Sequence, residues 1–277
     1  MNKIFNLLVI LSLFTSSITH AKDVIYPGND RTDYLTELLS HALSYSEDSY
    51  ITKGFGTDIP KHRAFELMTL NQGIDVMFGG STPERETRYL PIYIPLMKGL
   101  YGWRISLIHK NQPRLLANVN NLVELQMFTA GQFNTWSDTR VLRANKLTVA
   151  TSSDYAGLYT MLHKKRFDFF PRSIIEIEDN YQDFKHLDIT IEPHLLIHYP
   201  SAYYFYVRKG NVVLANAIES GLNQALTDGS FDKLFYKYYG EIIKDVAQQK
   251  RRVVALDNRY LSSKTPLENR KYWLTFN

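Results

Sequence analysis

Apolar side chains recur at helical spacing in two early segments. Leu35, Leu38, Leu39 and Ala42 share a face over Tyr34–Leu43, and Ala64, Phe65, Leu67, Met68 and Leu70 do so over Pro60–Asn71. Asp33 stands where an N-cap is needed for the first, and Gln72-Gly73 stops the second. Between and around them lie short apolar runs closed by turn residues: Asp23–Pro27 before Gly28-Asn29-Asp30, and Ile74–Phe78 before Gly79-Gly80-Ser81-Thr82-Pro83. Strands and helices alternating with short connections predict a parallel α/β sheet.

A strand at Arg104–His109 carries the chain away, and a second α/β set begins. It comprises an apolar stretch over Leu122–Ala130, a helix at Ser137–Ala144, a strand at Leu147–Thr151 and a helix at Tyr155–His163. A strand at Asp168–Phe170, a helix from Ile174 and late strands at Asp188–Ile191 and Ala202–Val207 complete it. Helices at Val212–Leu226 and Phe231–Tyr239 follow. The pattern predicts two α/β lobes with a cleft between them. The first is 22–108 plus 205–277 and the second is 109–204, with two crossings acting as a hinge.

Lys3, the apolar run Ile4–Phe14 and the small-residue end Thr19-His20-Ala21 describe a secretory signal peptide over 1–21. The run is too short for a membrane span, which needs ~20 apolar residues. Cleavage leaves 256 residues, expected to be soluble and periplasmic, without a membrane anchor. The 277 residues contain no cysteine, so disulfides, thiolate zinc sites and Cys nucleophiles are excluded. The net charge of +4 is concentrated in the tail, where Ala247–Asn277 carries seven Lys/Arg against two Asp/Glu. That tail lacks the interleaved aromatics of a nucleic-acid binder, and reads instead as a strap over the first lobe. Its anchors are Tyr260, Leu261, Leu267, Trp273 and Leu274.

Three stretches in this order resemble the extracytoplasmic solute-binding proteins of the amino-acid-binding type (family 3). They are Ile74–Phe78 with Gly79-Gly80-Ser81-Thr82-Pro83-Glu84-Arg85, Tyr89–Gly102, and Leu226-Thr227-Asp228-Gly229-Ser230-Phe231 through Leu234. The similarity spans roughly residues 23–240. It implies an α/β, two-lobed periplasmic-binding-protein clamshell that closes on a small ligand. It also implies that Arg85 binds the ligand's carboxylate.

In open α/β sheets ligands sit at the carboxyl ends of strands. Those ends supply the candidate ligand-binding residues Tyr26, Asp30, Gly80, Ser81, Thr82, Arg85, Ser152, Ser153, Tyr155 and Arg172. Thr82-Pro83 is an N-cap and N1 pair, and Arg85 can grip a carboxylate with two parallel hydrogen bonds. The plainer alternative is that Ser81, Thr82 and Glu84 cap a helix and Arg85 pairs with neighbouring carboxylates. Arg172 departs from the family, which places an acidic residue there to hold an ammonium group. Either Glu176 or Asp30 does that job, or the ligand is not an ordinary α-amino acid. Tyr26, Tyr93, Trp136, Tyr155 and Tyr199 are further candidates for its walls.

His194 and His198, four apart on an extended run, stand ~13 Å apart and cannot share a metal ion. The other histidines are scattered in sequence, so no metal and no cofactor is expected. No nucleophile elbow, phosphate loop or dinucleotide fingerprint occurs. The expected function is capture of a small polar, carboxylate-bearing solute by a monomer working with a membrane permease. The alternatives are a sensory accessory protein for a membrane kinase or cyclase, and a small-acid dehydratase on the same fold.

Overall fold

The computed structural model describes residues 21–276, so positions 1–20 of the expected signal peptide lie outside the described residues. The first elements are β1 (Lys22–Tyr26), α1 (Tyr34–Leu43), β2 (Tyr50–Gly54), α2 (Lys61–Thr69), β3 (Val76–Gly80), α3 (Pro83–Arg88) and β4 (Leu90–Pro91). Asp33 caps α1 in a reciprocal box with Thr36, and the helix buries Leu38, Leu39, Ala42 and Leu43. β1 and β2 pair in parallel. β3 lies against β1, where the Asp75 N–H donates to the Ile25 carbonyl at 2.9 Å.

The chain then crosses into β5 (Trp103–His109), α4 (Leu122–Leu125), β6 (Thr129–Phe133), α5 (Ser137–Ala144), β7 (Thr148–Ser152) and α6 (Tyr155–His163). β8 (Phe169–Ser173), α7 (Ile177–Phe184), β9 (Ile189–Ile191) and β10 (Leu195–His198) follow. β11 (Tyr203–Val207) returns to the first lobe, between β3 and β4, and runs antiparallel to both. The helices α8 (Val212–Asp228) and α9 (Ser230–Gln248) pack on the first lobe, and β12 (Arg252–Ala255) comes last. Gly221 of α8 lies so close to α1 that a Cβ there would sit 1.8 Å from the Ala42 carbonyl oxygen, so the helix crossing demands glycine.

Three expectations are corrected. The sheets are mixed rather than mostly parallel, because β5 and β11 are crossing strands that enter their sheets from the opposite end. β5, buried along its whole length, pairs antiparallel with β8, β9 and β10, while β6–β7, β6–β8 and β10–β12 are parallel. Leu122–Ala130 is a single helical turn followed by β6, whose small residues Ala130 and Gly131 sit against Phe169 and Phe167.

The tail does not lie over the first lobe alone. β12 adds to the second sheet beside β10, where an edge was open. The Arg252 guanidinium holds the Val119 carbonyl at 3.0 Å, and Asn145 exchanges two hydrogen bonds with the Asp257 backbone. Only afterwards does the tail return to the first lobe. There the Leu274 N–H donates to the Lys98 carbonyl at 2.8 Å and Trp273 packs on Gly99. Of the expected anchors, Tyr260 joins the second lobe's core cluster and Leu267 is exposed. The tail therefore makes a third passage between the lobes, beside those at Gly102 and Tyr199. These two touch: a Cβ on Gly102 would lie 1.9 Å from the Tyr199 carbonyl oxygen.

Candidate functional site

A cleft of about 430 Å3 opens between the two sheets. One wall is the end of β3 with α3: Gly80, Ser81, Thr82 and Arg85, joined by Lys61 from α2. The other is the turn from β6 into α5, with Trp136, Asp138 and Arg140, and the end of β8, with Arg172 and Glu176. Arg104 of β5 and the crossing residues Tyr199–Tyr203 lie between, and Asn258 and Tyr260 of the tail border it. Five cationic side chains face only two carboxylates, so the cleft is positive.

The second wall is internally paired. Arg104 is 7% exposed, and it donates through Nη2 to Asp138 Oδ1, which also accepts from the Tyr199 hydroxyl. Burial opposes the Arg104 charge, but Asp138 and Tyr199 outweigh it and move the guanidinium pKa up. Burial pushes the Tyr199 phenol up as well. The Arg104 Nε has no hydrogen-bond partner. Arg172, 6% exposed, donates to Asn180 Oδ1 at 2.6 Å and to Glu176 Oε2 at 2.9 Å. Its guanidinium lies 4.5 Å from the Trp136 ring centroid and 5.3 Å from that of Phe170, fixing the indole.

The first wall is different. Arg85 donates to the Gly80 carbonyl at 2.6 Å and reaches no carboxylate among the described residues. Lys61 has one hydrogen-bond partner, the Tyr203 hydroxyl at 3.2 Å. The residue is exposed, with its ammonium set 5.1 Å from the Tyr203 ring centroid. Burial there, and then the neighbouring Arg85 charge, bring its pKa down to about 8. Burial pushes the Tyr101 phenol up to about 12, and Tyr203 also rises. One contact joins the lips across the mouth, from Arg140 of α5 to Glu84 of α3 at 3.3 Å.

The cleft thus brings together Gly80, Ser81, Thr82, Arg85 and Arg172. Two of the groups at the α3 start are already engaged: the Ser81 N–H donates to the Ala202 carbonyl at 2.8 Å, and the Ser81 hydroxyl donates to Glu86 at 2.5 Å. Thr82 accepts from the Arg85 N–H at 3.2 Å, the cap expected of it. The structure places Tyr26 and Asp30 elsewhere. The Tyr26 hydroxyl accepts the Arg31 N–H at 3.2 Å and Asp30 accepts the Gly54 N–H at 2.6 Å, both bordering a separate groove. Ser152 accepts the Asp154 N–H at 3.0 Å, and Ser153 is exposed. Tyr155 stands behind Arg172, its ring 5.7 Å from the guanidinium and its hydroxyl bonded to Tyr159 at 2.7 Å.

Sequence reasoning missed Lys61, Tyr101, Arg104, Asp138, Arg140, Tyr203 and Tyr260. Arg104 carried a usable signal, a lone arginine near the start of a mainly apolar, fully buried strand. The histidines, scattered in sequence, do converge once: His109 and His163 approach Asp188. Both Nδ1 atoms there accept backbone N–H groups, of Asn111 and Asp188, and Asp188 pairs with Lys110. Protein partners account for that cluster.

This architecture is the two-lobed periplasmic-binding-protein fold. The chain is similar to a probable amino-acid ABC transporter extracellular-binding protein, ytmK from Bacillus subtilis (14% identity, 80% of this chain, 99% of that one, TM-score 0.60). It is similar also to an ancestral arginine-binding protein bound to arginine (15%, 79% and 98%, 0.53). A third is the substrate-binding domain 2 of Lactococcus lactis GlnP in an open conformation (18%, 79% and 94%, 0.50). No family model matches the chain, and no curated protein matches it in sequence.

Proposed function

We propose that this chain is an exported solute-binding protein of the family 3 type. It captures a small polar, carboxylate-bearing solute in the cleft between its lobes and delivers it to a membrane permease. The observation that carries the reading is the cleft itself, faced from both sheets by cations and aromatic rings. Cationic and polar groups set among aromatic rings suit a small charged ligand, and Arg85 is the natural anchor for its carboxylate. The fold shared with binding proteins of amino-acid transporters supports the same role.

In this reading the hinge lies at the touching crossings Gly102 and Tyr199 rather than at 108/109 and 204/205, because β5 and β11 each pair as whole strands within one sheet. The chain before β5 and from β11 on forms one moving body and β5–β10 the other, with β12 riding on the second. Closure brings the Arg172–Trp136 wall onto a solute held by Arg85. The protein acts as a periplasmic monomer and as a binder rather than an enzyme, since Asp138 and Glu176 both serve guanidinium groups.

A thermal-shift screen of organic acids and amino acids tests this. At a hundredfold excess over Kd, the cognate solute stabilises by about 2.7 kcal/mol, or about 5–10 °C for a chain of this size. Arg85→Gln, binding about 10- to 100-fold more weakly, cuts the shift at the same concentration to about half or less. A screen in which nothing stabilises the wild type, or in which Arg85→Gln responds equally, contradicts the proposal.

A further inference from the structure

Each carboxylate that lines the cleft already has a guanidinium. Asp138 Oδ1 takes both Arg104 and Tyr199, and Glu176 takes Arg172 at 2.9 Å. Asp30, the remaining candidate for holding an ammonium group, is bonded to the Gly54 N–H outside the cleft. On the opposite wall Lys61 and Arg85 have no carboxylate within ion-pair distance among the described residues; their partners are a phenol and a backbone carbonyl. Two neighbouring like charges repel, and an anion bound between them relieves the repulsion while both stay charged. An ammonium group entering this site would be repelled by the surplus cations and find no free anion.

Resting on the solute-binding reading, we infer that the cleft selects a small dianionic acid without an ammonium group, neutralised on the first wall by Lys61 and Arg85 together. The amino-acid binders divide the work between a guanidinium for the carboxylate and an acid for the ammonium. Here the second task has no residue, and Lys61 supplies a second positive charge instead. The crowding that lowers the Lys61 pKa is the cost of keeping that charge ready. A dicarboxylate and a phosphate monoester share the required chemistry, and the experiment separates them.

The test is calorimetric titration of the mature chain with matched pairs, glutarate against L-glutamate and succinate against L-aspartate, with glycerol 3-phosphate as the phosphomonoester arm. The expected result is a dianion bound at least tenfold more tightly than its ammonium-bearing counterpart. Lys61→Met then weakens that binding at least tenfold, and Lys61→Arg restores most of it. Preference for the phosphomonoester supports the dianion and assigns its source. An amino acid bound as tightly as its matched diacid overturns the inference and leaves solute binding standing. Should no probe bind, and no small molecule co-purify, the inference falls together with the reading beneath it.

Discussion

The two walls of the cleft carry the same kind of charge in opposite states. On the second lobe, Arg104 and Arg172 are buried and their charges are met by Asp138 and Glu176. On the first, Lys61 and Arg85 meet no carboxylate among the described residues. A buried paired charge is expensive to disturb and holds shape, whereas an unpaired one at a cleft is free to meet a ligand. The difference teaches that a cation count alone does not locate a binding group. Partners do: the second wall is held by its own ion pairs, and the first wall carries the cations that the proposal assigns to the solute.

The comparison breaks most readily at Arg104. Arg104→Leu leaves the Asp138 carboxylate without its counter-charge and lowers stability by about 3–5 kcal/mol, read from urea unfolding. Arg85→Gln moves the other quantity. Its affinity for the solute falls about 10- to 100-fold, the worth of a charge-assisted hydrogen bond, while its unfolding free energy stays within about 0.5 kcal/mol of the wild type. If the two variants behave alike, the walls are not different in kind.

A smaller effect follows from Lys61. Its ammonium loses its proton as pH rises through about 8, so affinity for an anion declines between pH 7 and pH 9.5. In Lys61→Met that decline is flattened, which calorimetry in several buffers detects. Stability runs the opposite way: the unfolded chain binds the Lys61 proton more tightly, so stability rises between about pH 8 and the ordinary lysine pKa. The smallest effect belongs to the exposed pair across the mouth. A double-mutant cycle on Arg140→Ala and Glu84→Ala yields a coupling of about 0.2–1 kcal/mol that shrinks in salt. A larger value would make this pair a latch.

Much of this architecture was legible in the chain. Asp33, Thr82 and the apolar spacing of α1 are local signals, and local signals survive folding. The sheet order was not legible, because pairing is decided by distant partners: nothing within Arg252–Ala255 says that β10 has an open edge. The site divides along the same line. Gly80, Thr82 and Arg85 lie on one contiguous motif and were found together. Lys61, Arg104 and Asp138 belong to three separate elements, and only the crossing strands bring them to one cleft. Tyr26 and Asp30 satisfied the strand-end rule yet are consumed by their own turn, where Arg31 and Gly54 take their polar atoms.

The most direct test of solute capture is native mass spectrometry of the protein purified gently from the cells that make it. The account predicts a stoichiometric small acid on the wild type and the bare chain for Arg85→Gln. A bare wild-type chain, or an acid retained equally by the variant, contradicts it.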